Sequence, residues 1–410
     1  MVTEPRPFVL RPFRGLRFDA DVVGDLGTVI SPPYDVLDAD TVRDLEAANR
    51  RNVVRLILSR RFERPYRAVR QRLHEWRDEG YLRADDVPAL YVYEYAADGA
   101  TVRGLIGLVG LREESERVVL PHEDVMPGPV DDRAVLMRTT QTNLEPILLV
   151  HEGRPPLQQA IAAATRASPL TSFAALDGSS HCLWRVTDPG ALEAIAHELA
   201  STRALIADGH HRYAAYLRLQ QELRDPTTPQ DGSPWDYGLA LLVDQADQAL
   251  HIGPIHRSVG ALTMADVQEV SAARGDDLRS APDRETALEA LTRGGDETGE
   301  AGDRATFVVS DGRAWAVLRT TRTAPVDAAV LHDSLLPAWG AAEEQLGYHH
   351  SLDQALQTVA RQPGVVVAVR PPTLREVTAS AERGIRMPRK STSFAPKPRM
   401  GVVMRDLRDD

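Results

Sequence analysis

The sequence predicts an α+β protein built from mixed and antiparallel sheets with helices. Three observations carry this reading. Strand-like runs meet at the hairpin dipeptides Asp98-Gly99, Asp177-Gly178 and Asp311-Gly312. Other segments place apolar residues at helical spacing, as in Tyr66, Val69, Leu73 and Trp76. Hairpins and helices follow one another without regular alternation, which argues against a doubly wound parallel sheet.

Taken in order, Thr28 to Ile30 reads as a short strand. Ser31-Pro32-Pro33-Tyr34-Asp35 reads as a rigid extended loop, because each proline fixes its own φ and restricts the residue before it. A strand is predicted over Val53 to Leu58 and an amphipathic helix over 64–79. Strands follow at 89–97 and 102–111. The proline-, acid- and arginine-rich stretch 121–138 reads as a loop. Next come a strand over 147–150, a helix over 157–166, the hairpin at 177–178 and a helix near 190–201. Strands are expected at 237–244 and 249–256. The acidic, Gly/Asp-rich region 270–304 reads as a surface excursion. Strands over 305–310 and 314–319 precede helices over 327–339 and 351–361. Four segments follow: 1–85, N-terminal α/β; 86–260, the core; 261–375, a further α/β region with the excursion; and 376–410, a basic tail returning to the site.

Composition narrows the functional classes. The chain has 410 residues, 43% hydrophobic and 26% charged, enough for a sizeable core. Its single cysteine, Cys182, excludes an internal disulfide framework and a thiolate zinc cluster. A net charge of −11 argues against broad nucleic-acid binding. With no apolar run of membrane length and no signal-like N-terminus, a cytoplasmic location is expected and a membrane partner is not. Arginine greatly outnumbers lysine.

The most informative stretch is ALIADGHHRYAAYLRLQQEL, starting at Ala204 after Arg203. A short apolar run ends at Asp208-Gly209. His210, His211 and Arg212 then open a helix. A helix N-terminus presents unpaired N–H groups and partial positive charge, so it attracts phosphate. Gly209 permits a tight turn, Arg212 offers a planar fork to phosphate oxygens, and a histidine can donate to phosphate or move a proton. Asp208 could orient an imidazole or accept from a ligand hydroxyl. The plainer reading is Asp208 as a helix cap beside exposed histidines.

Three further constellations are candidates. His122-Glu123-Asp124, with Asp131, Asp132, Arg133 and Arg138, could supply a general base or a magnesium ligand, Glu123 and Asp132 being the carboxylates for Mg2+; such a group is also common in solvated loops. Lys390, Ser391 and Thr392 could bind phosphate without the glycine spacing of a Walker loop, or form a packed basic tail. Arg14, Tyr34 and Asp35 could line a pocket, with His122 and His256, or serve structure alone. His122, Glu123, His210 and His211 could form a metal set, but their spacing matches no metalloprotease pattern.

With these residues assembled, the chain resembles a bacterial and archaeal family catalogued as domain of unknown function 1015. The resemblance rests on PFRGLRFD, VISPPYDV, NVVRLIL, LPHEDV, NLEPILLV, IADGHHRYAAY, IGPIHR and MPRKSTSFAPKPRMG. The Asp-Gly-His-His-Arg piece is also similar to the phosphate-contacting turn of the ParB/sulfiredoxin-like fold, which includes nucleotide-dependent free serine kinases. That resemblance implies a ParB/sulfiredoxin-like nucleotide-binding core, with ATP or ADP and Mg2+ as cofactors. It places His210, His211 and Arg212 on the phosphates, makes Glu123 the candidate base, and implies phosphoryl transfer involving serine or O-phosphoserine. A ParB-like regulatory module and a metal-dependent phosphohydrolase are the alternatives.

Overall fold

A computed structural model describes residues 6–58, 65–97, 99–247, 250–293 and 303–409. Two compact units emerge. The first comprises 1–121, 125–250 and 396–410; the second comprises 122–124 and 251–395. The segments expected from the sequence are thus regrouped: 1–85 shares a unit with most of 86–260, and the tail is divided between Ala395 and Pro396.

The first unit is built on a mixed sheet of nine strands among the described residues. Along its main path the order is Val119–Leu120, Ala204–Asp208, Ile147–His151, Tyr237–Asp244, Ala100–Gly110, Leu90–Ala97, Ser180–Val186 and Thr171–Ala174; Leu10–Arg11 pairs with Ala100–Gly110. Ile147–His151 runs parallel to Tyr237–Asp244 and antiparallel to Ala204–Asp208. Ile147, Leu149, Ile206 and Leu242 meet Tyr213, Ala215 and Leu219 of the helix His210–Leu223 in one buried cluster. A second cluster joins Leu16, Phe18, Val53, Leu56 and Trp76 to Met400 and Met404, so the C-terminal residues are part of this core.

The second unit contains an antiparallel six-stranded sheet, in the order Asp277–Ala281, Trp315–Thr321, Arg304–Ser310, Gly364–Val369, His256–Gly260 and Leu346–His349. Phe307, Val309, Leu318 and Val367 cover one face; Val308, Val317, Val366 and Ala368 fill the other. His251–Gly253 pairs separately with Ser393–Ala395. The α+β class and the three hairpin pairings agree with the sequence, although Asp98 itself lies outside the described residues.

Several local expectations are corrected. Residues Val54–Ile57 form a helical turn instead of a strand. Asn52 Oδ1 accepts the Val54 N–H at 2.9 Å, and its Nδ2 donates to the carbonyls of Thr28 and Ile30, each at 2.9 Å. This side chain supplies local partners that a ladder would otherwise provide, and a short apolar run suits either state. Thr28 to Ile30 is likewise not a strand: Leu26–Thr28 is a 3₁₀ turn capped by Asp25. The Pro-Pro loop ends in a 3₁₀ turn, Tyr34–Val36.

The stretch predicted as a loop over 121–138 contains the helix Pro127–Thr140. Pro127 and Pro129 fall in its first turn, where no intrahelical acceptor is lost. The expected strand 249–256 is broken at Pro254 into His251–Gly253 and the start of His256–Gly260. The supposed excursion is ordered over much of its length as Met264–Arg274, Asp277–Ala281 and Arg284–Thr292; the acidic residues 294–302 lie outside the described residues.

Candidate functional site

The Asp-Gly-His-His-Arg motif sits at the end of the buried strand Ala204–Asp208 and the start of the helix His210–Leu223. The connecting Gly209 has φ +97°, and a Cβ there would lie 2.9 Å from Ile147 Cγ2 and 3.1 Å from Arg212 Nε. Gly209→Ala is therefore expected to lower stability by about 2 kcal/mol or more, since the left-handed conformation alone costs roughly 1–2 kcal/mol for an L side chain; an unchanged urea midpoint would contradict this.

Asp208 is the hub of a buried charge network. Its Oδ2 accepts from Arg212 Nη2 at 2.5 Å, and Lys397 Nζ lies 2.7 Å from Oδ1. Arg212 Nη1 donates to the Pro146 carbonyl at 2.5 Å and lies 3.4 Å from Glu145 Oε2. Arg133 approaches Glu145 Oε1 at 3.4 Å, pairs with Asp132 at 2.5 Å and lies over the Tyr34 ring at 4.8 Å. Burial alone would push the Asp208 carboxyl up; Lys397 and Arg212 outweigh it and hold the group below the usual carboxylate range.

The network revises the expected roles. Arg212 is only 3% exposed and its amino groups face Asp208, Pro146 and Glu145, so it braces the carboxylates instead of presenting a fork to phosphate. Arg133 is buried in the same way, and Asp132 also accepts from the Tyr66 hydroxyl at 2.6 Å. His210 is buried. His211 Nε2 accepts the Met126 N–H at 3.0 Å, which makes Nδ1 the donor of the neutral ring.

Lys397 was missed from sequence, although a signal existed. Only Lys390 and Lys397 account for the lysines among 48 Lys and Arg residues, and both stand in the terminal segment. Lys397 is held by its neighbours. The Tyr95 hydroxyl donates to the Pro396 carbonyl at 2.8 Å, and Tyr95 stacks on Tyr93 at 5.0 Å. His181 joins that stack, with Nδ1 2.9 Å from the Tyr93 hydroxyl and Nε2 2.9 Å from Ser179 Oγ. Arg399 pairs with Asp177 beside them.

Within the second unit, Glu123 meets a different set. Its Oε1 accepts the N–H groups of Ser391 and Thr392 at 3.0 and 3.2 Å and the Thr392 hydroxyl at 3.1 Å; Oε2 accepts the Lys390 N–H at 3.3 Å. Burial raises the carboxyl pKa, and these hydrogen bonds work against the rise. Lys390, Ser391 and Thr392, expected on phosphate, thus turn their N–H groups to the chain's own carboxylate. Lys390 has φ +55°, which helps the three N–H groups converge. His122 is fully buried, with Nε2 2.8 Å from Thr392 Oγ1. His256 accepts the Val369 N–H at 3.2 Å in the sheet.

The remaining candidates have local partners or remain at turns. Arg14 Nε donates to the Asp85 carbonyl at 2.8 Å, Asp131 pairs with Arg218 and Arg138 with Glu222. Asp35 lies in the 3₁₀ turn, and Asp124 is exposed. Neither Asp132 nor Glu123 presents an open carboxylate to magnesium, because Arg133 and Tyr66 engage one and the 390–392 donors engage the other. Among the described residues no group of three or more His, Cys, Asp or Glu is placed to hold a metal, which includes the set His122, Glu123, His210 and His211.

Four histidines are held neutral by burial, each at a pKa of about 4: His151, His181, His256 and His332. The unfolded chain binds these protons nearer pH 6.5, so stability is expected to fall as pH drops from about 6.5 toward 4. A urea midpoint that stays level across that window would refute the expectation.

Over residues 10–344 the sequence matches the family described as Protein of unknown function (DUF1015). No curated protein matches it. Among solved structures it is similar to a free serine kinase in complex with AMP, at 16% identity and a TM-score of 0.37, covering 68% of this chain and 84% of the other. A variant of a free serine kinase in complex with ADP gives 15% identity and a TM-score of 0.38 over the same shares. SbnI with C-terminal truncation, from Staphylococcus aureus, gives 11% identity and a TM-score of 0.40, covering 74% of this chain and 90% of the other. No helix among the described residues is long and apolar enough to cross a membrane. The match over most of its length makes this chain a member of the DUF1015 family.

Proposed function

We propose that this protein is a nucleotide-dependent phosphotransferase acting on a small hydroxylated metabolite, with serine and O-phosphoserine as the leading pair. The observation that carries the reading is the Lys397 ammonium 2.7 Å from Asp208, at the start of the helix His210–Leu223. The helix supplies N–H groups and partial positive charge for phosphate oxygens, and Lys397 adds a full positive charge beside them. Arg212 keeps Asp208 in place from the other oxygen.

In this reading the substrate hydroxyl oxygen attacks the terminal phosphorus of the nucleotide. The bond to the bridging oxygen breaks, and the nucleotide leaves with one phosphate fewer. Asp208, held ionised by its two cations, accepts the hydroxyl proton and returns it to solvent. Such a low-pKa carboxylate is a weak base, which is tolerable because phosphoryl transfer relies mainly on positioning and charge neutralisation. Asp208 takes this role ahead of Glu123 because it ends the strand that leads directly into the helix His210–Leu223, whose N-terminus faces the phosphates in this reading.

The test is a calorimetric titration with ATP, ADP, serine and phosphoserine, alongside their effect on the melting temperature, since a ligand of the native state raises it. Nucleotide binding that weakens in His211→Ala and phosphate transfer that is lost in Asp208→Asn are the expected results. Absence of binding by every nucleotide and by phosphoserine would sink the proposal.

A further inference from the structure

The second unit contains a cavity of about 320 Å³ lined by side chains of both charges. Arg386 and Arg389 come from one chain segment. That segment is anchored where the Met387 N–H donates to the His122 carbonyl at 2.8 Å. Asp333 comes from the turn Leu331–Leu335, which has π-helical hydrogen bonding, and Glu343 precedes the edge strand Leu346–His349. We propose that this cavity binds a small zwitterion of the α-amino-acid class, with its carboxylate on Arg386 and Arg389 and its ammonium on Asp333 and Glu343.

The surrounding side chains prepare both ends. The buried Arg257 donates from Nε to His332 Nε2 at 3.1 Å, which leaves the imidazole proton on Nδ1 and makes that ring a neutral donor in the lining. The Tyr348 hydroxyl donates to Glu343 Oε1 at 2.8 Å and orients that carboxylate. A π-helical turn adds a residue to the helical circuit, an arrangement frequent at functional sites.

Charge balance selects the ligand class. A simple anion would meet Asp333 and Glu343 as well as the arginines. A simple cation would meet the reverse. An apolar ligand would strip water from these charged groups without replacing it. A molecule with both charges on a short frame satisfies both sets of side chains, and the cavity is at the small end of the range for ligand pockets, about 300–1,000 Å³. Asp124 also borders the cavity, 4.0 Å from Arg386, but is 66% exposed and leaves Arg389 as the principal anchor for a carboxylate.

This inference stands on the second unit alone and does not require phosphoryl transfer. Its test uses the full chain and three probes of similar size: L-alanine, propionate and ethylamine. Calorimetry is expected to show that L-alanine binds at least about tenfold more tightly than either single-charge probe, a difference of about 1.4 kcal/mol. Arg389→Met and Asp333→Asn are each expected to weaken L-alanine binding about tenfold. Both side chains lie at exposed positions, and an unchanged melting temperature checks their folding. Propionate binding as well as L-alanine, no L-alanine binding by the wild-type protein, or unchanged affinity in both folded variants would each overturn the proposal. Failure of L-alanine to bind while ATP or ADP still binds would overturn this inference alone.

Discussion

Lys397→Met is expected to weaken nucleotide binding by roughly 10- to 100-fold while leaving the protein folded. Hydrogen bonds to charged groups contribute about 1.5–3 kcal/mol, and each 1.4 kcal/mol is a factor of ten in affinity. The lysine side chain is 15% exposed and lies 2.7 Å from Asp208, so its positive charge stands at the start of the helix, where it would attract a phosphate. Methionine keeps much of the aliphatic length and removes the charge. Lys397→Arg should restore part of the binding, because the charge returns with a different donor geometry. Asp208→Asn combined with Lys397→Met separates two effects: if binding recovers, repulsion from an uncovered Asp208 caused the first loss; if it does not, Lys397 itself contacts the nucleotide. Unchanged ADP affinity in Lys397→Met would remove the lysine from the site.

Arg212→Met is expected to destabilise the protein by about 3 kcal/mol, the low end of the range for breaking a buried ion pair. Arg212 is nearly inaccessible and stands between Asp208 and Glu145. Removing it leaves the buried Glu145 and the half-buried Asp208 with less positive charge. Lys397 and Arg133 soften the loss because each still approaches one of them. Arg212→Lys should recover only part of the stability, since one ammonium cannot reproduce the separate contacts to Asp208 and the Pro146 carbonyl. Chemical denaturation followed by far-UV circular dichroism measures the effect. A midpoint equal to wild type would show that the network carries little stability, and a loss of nucleotide binding without destabilisation would return Arg212 to the ligand.

The contrast between Arg212 and Lys397 shows which features can be read along a chain. The strand Ala204–Asp208, its glycine and the following helix are contiguous, and each has a local cause. Gly209 supplies the positive φ, while Tyr213, Ala215 and Leu219 give the helix its buried face. Which donors face outward is another matter. Arg212 turns inward because Glu145 and the Pro146 carbonyl arrive from another part of the chain. Lys390 and Lys397 look equivalent in a basic tail, yet Lys390 gives its N–H to Glu123, whereas Lys397 reaches Asp208. The failed strand and loop expectations have similar causes. Asn52 supplies side-chain partners that favour a helical turn, and the prolines of 127–140 sit at the one place where a helix tolerates them.

The sequence by itself determined the α+β class, the hairpins and the strand–turn–helix at Asp208 to Arg212, because turn chemistry and apolar periodicity act over a few residues. Only the tertiary structure decided which cations stand over which carboxylates. Glu123 and Ser391 are 268 positions apart. Such partners are selected by burial, where every charge needs a counter-charge or hydrogen bonds, and that requirement depends on how distant segments pack.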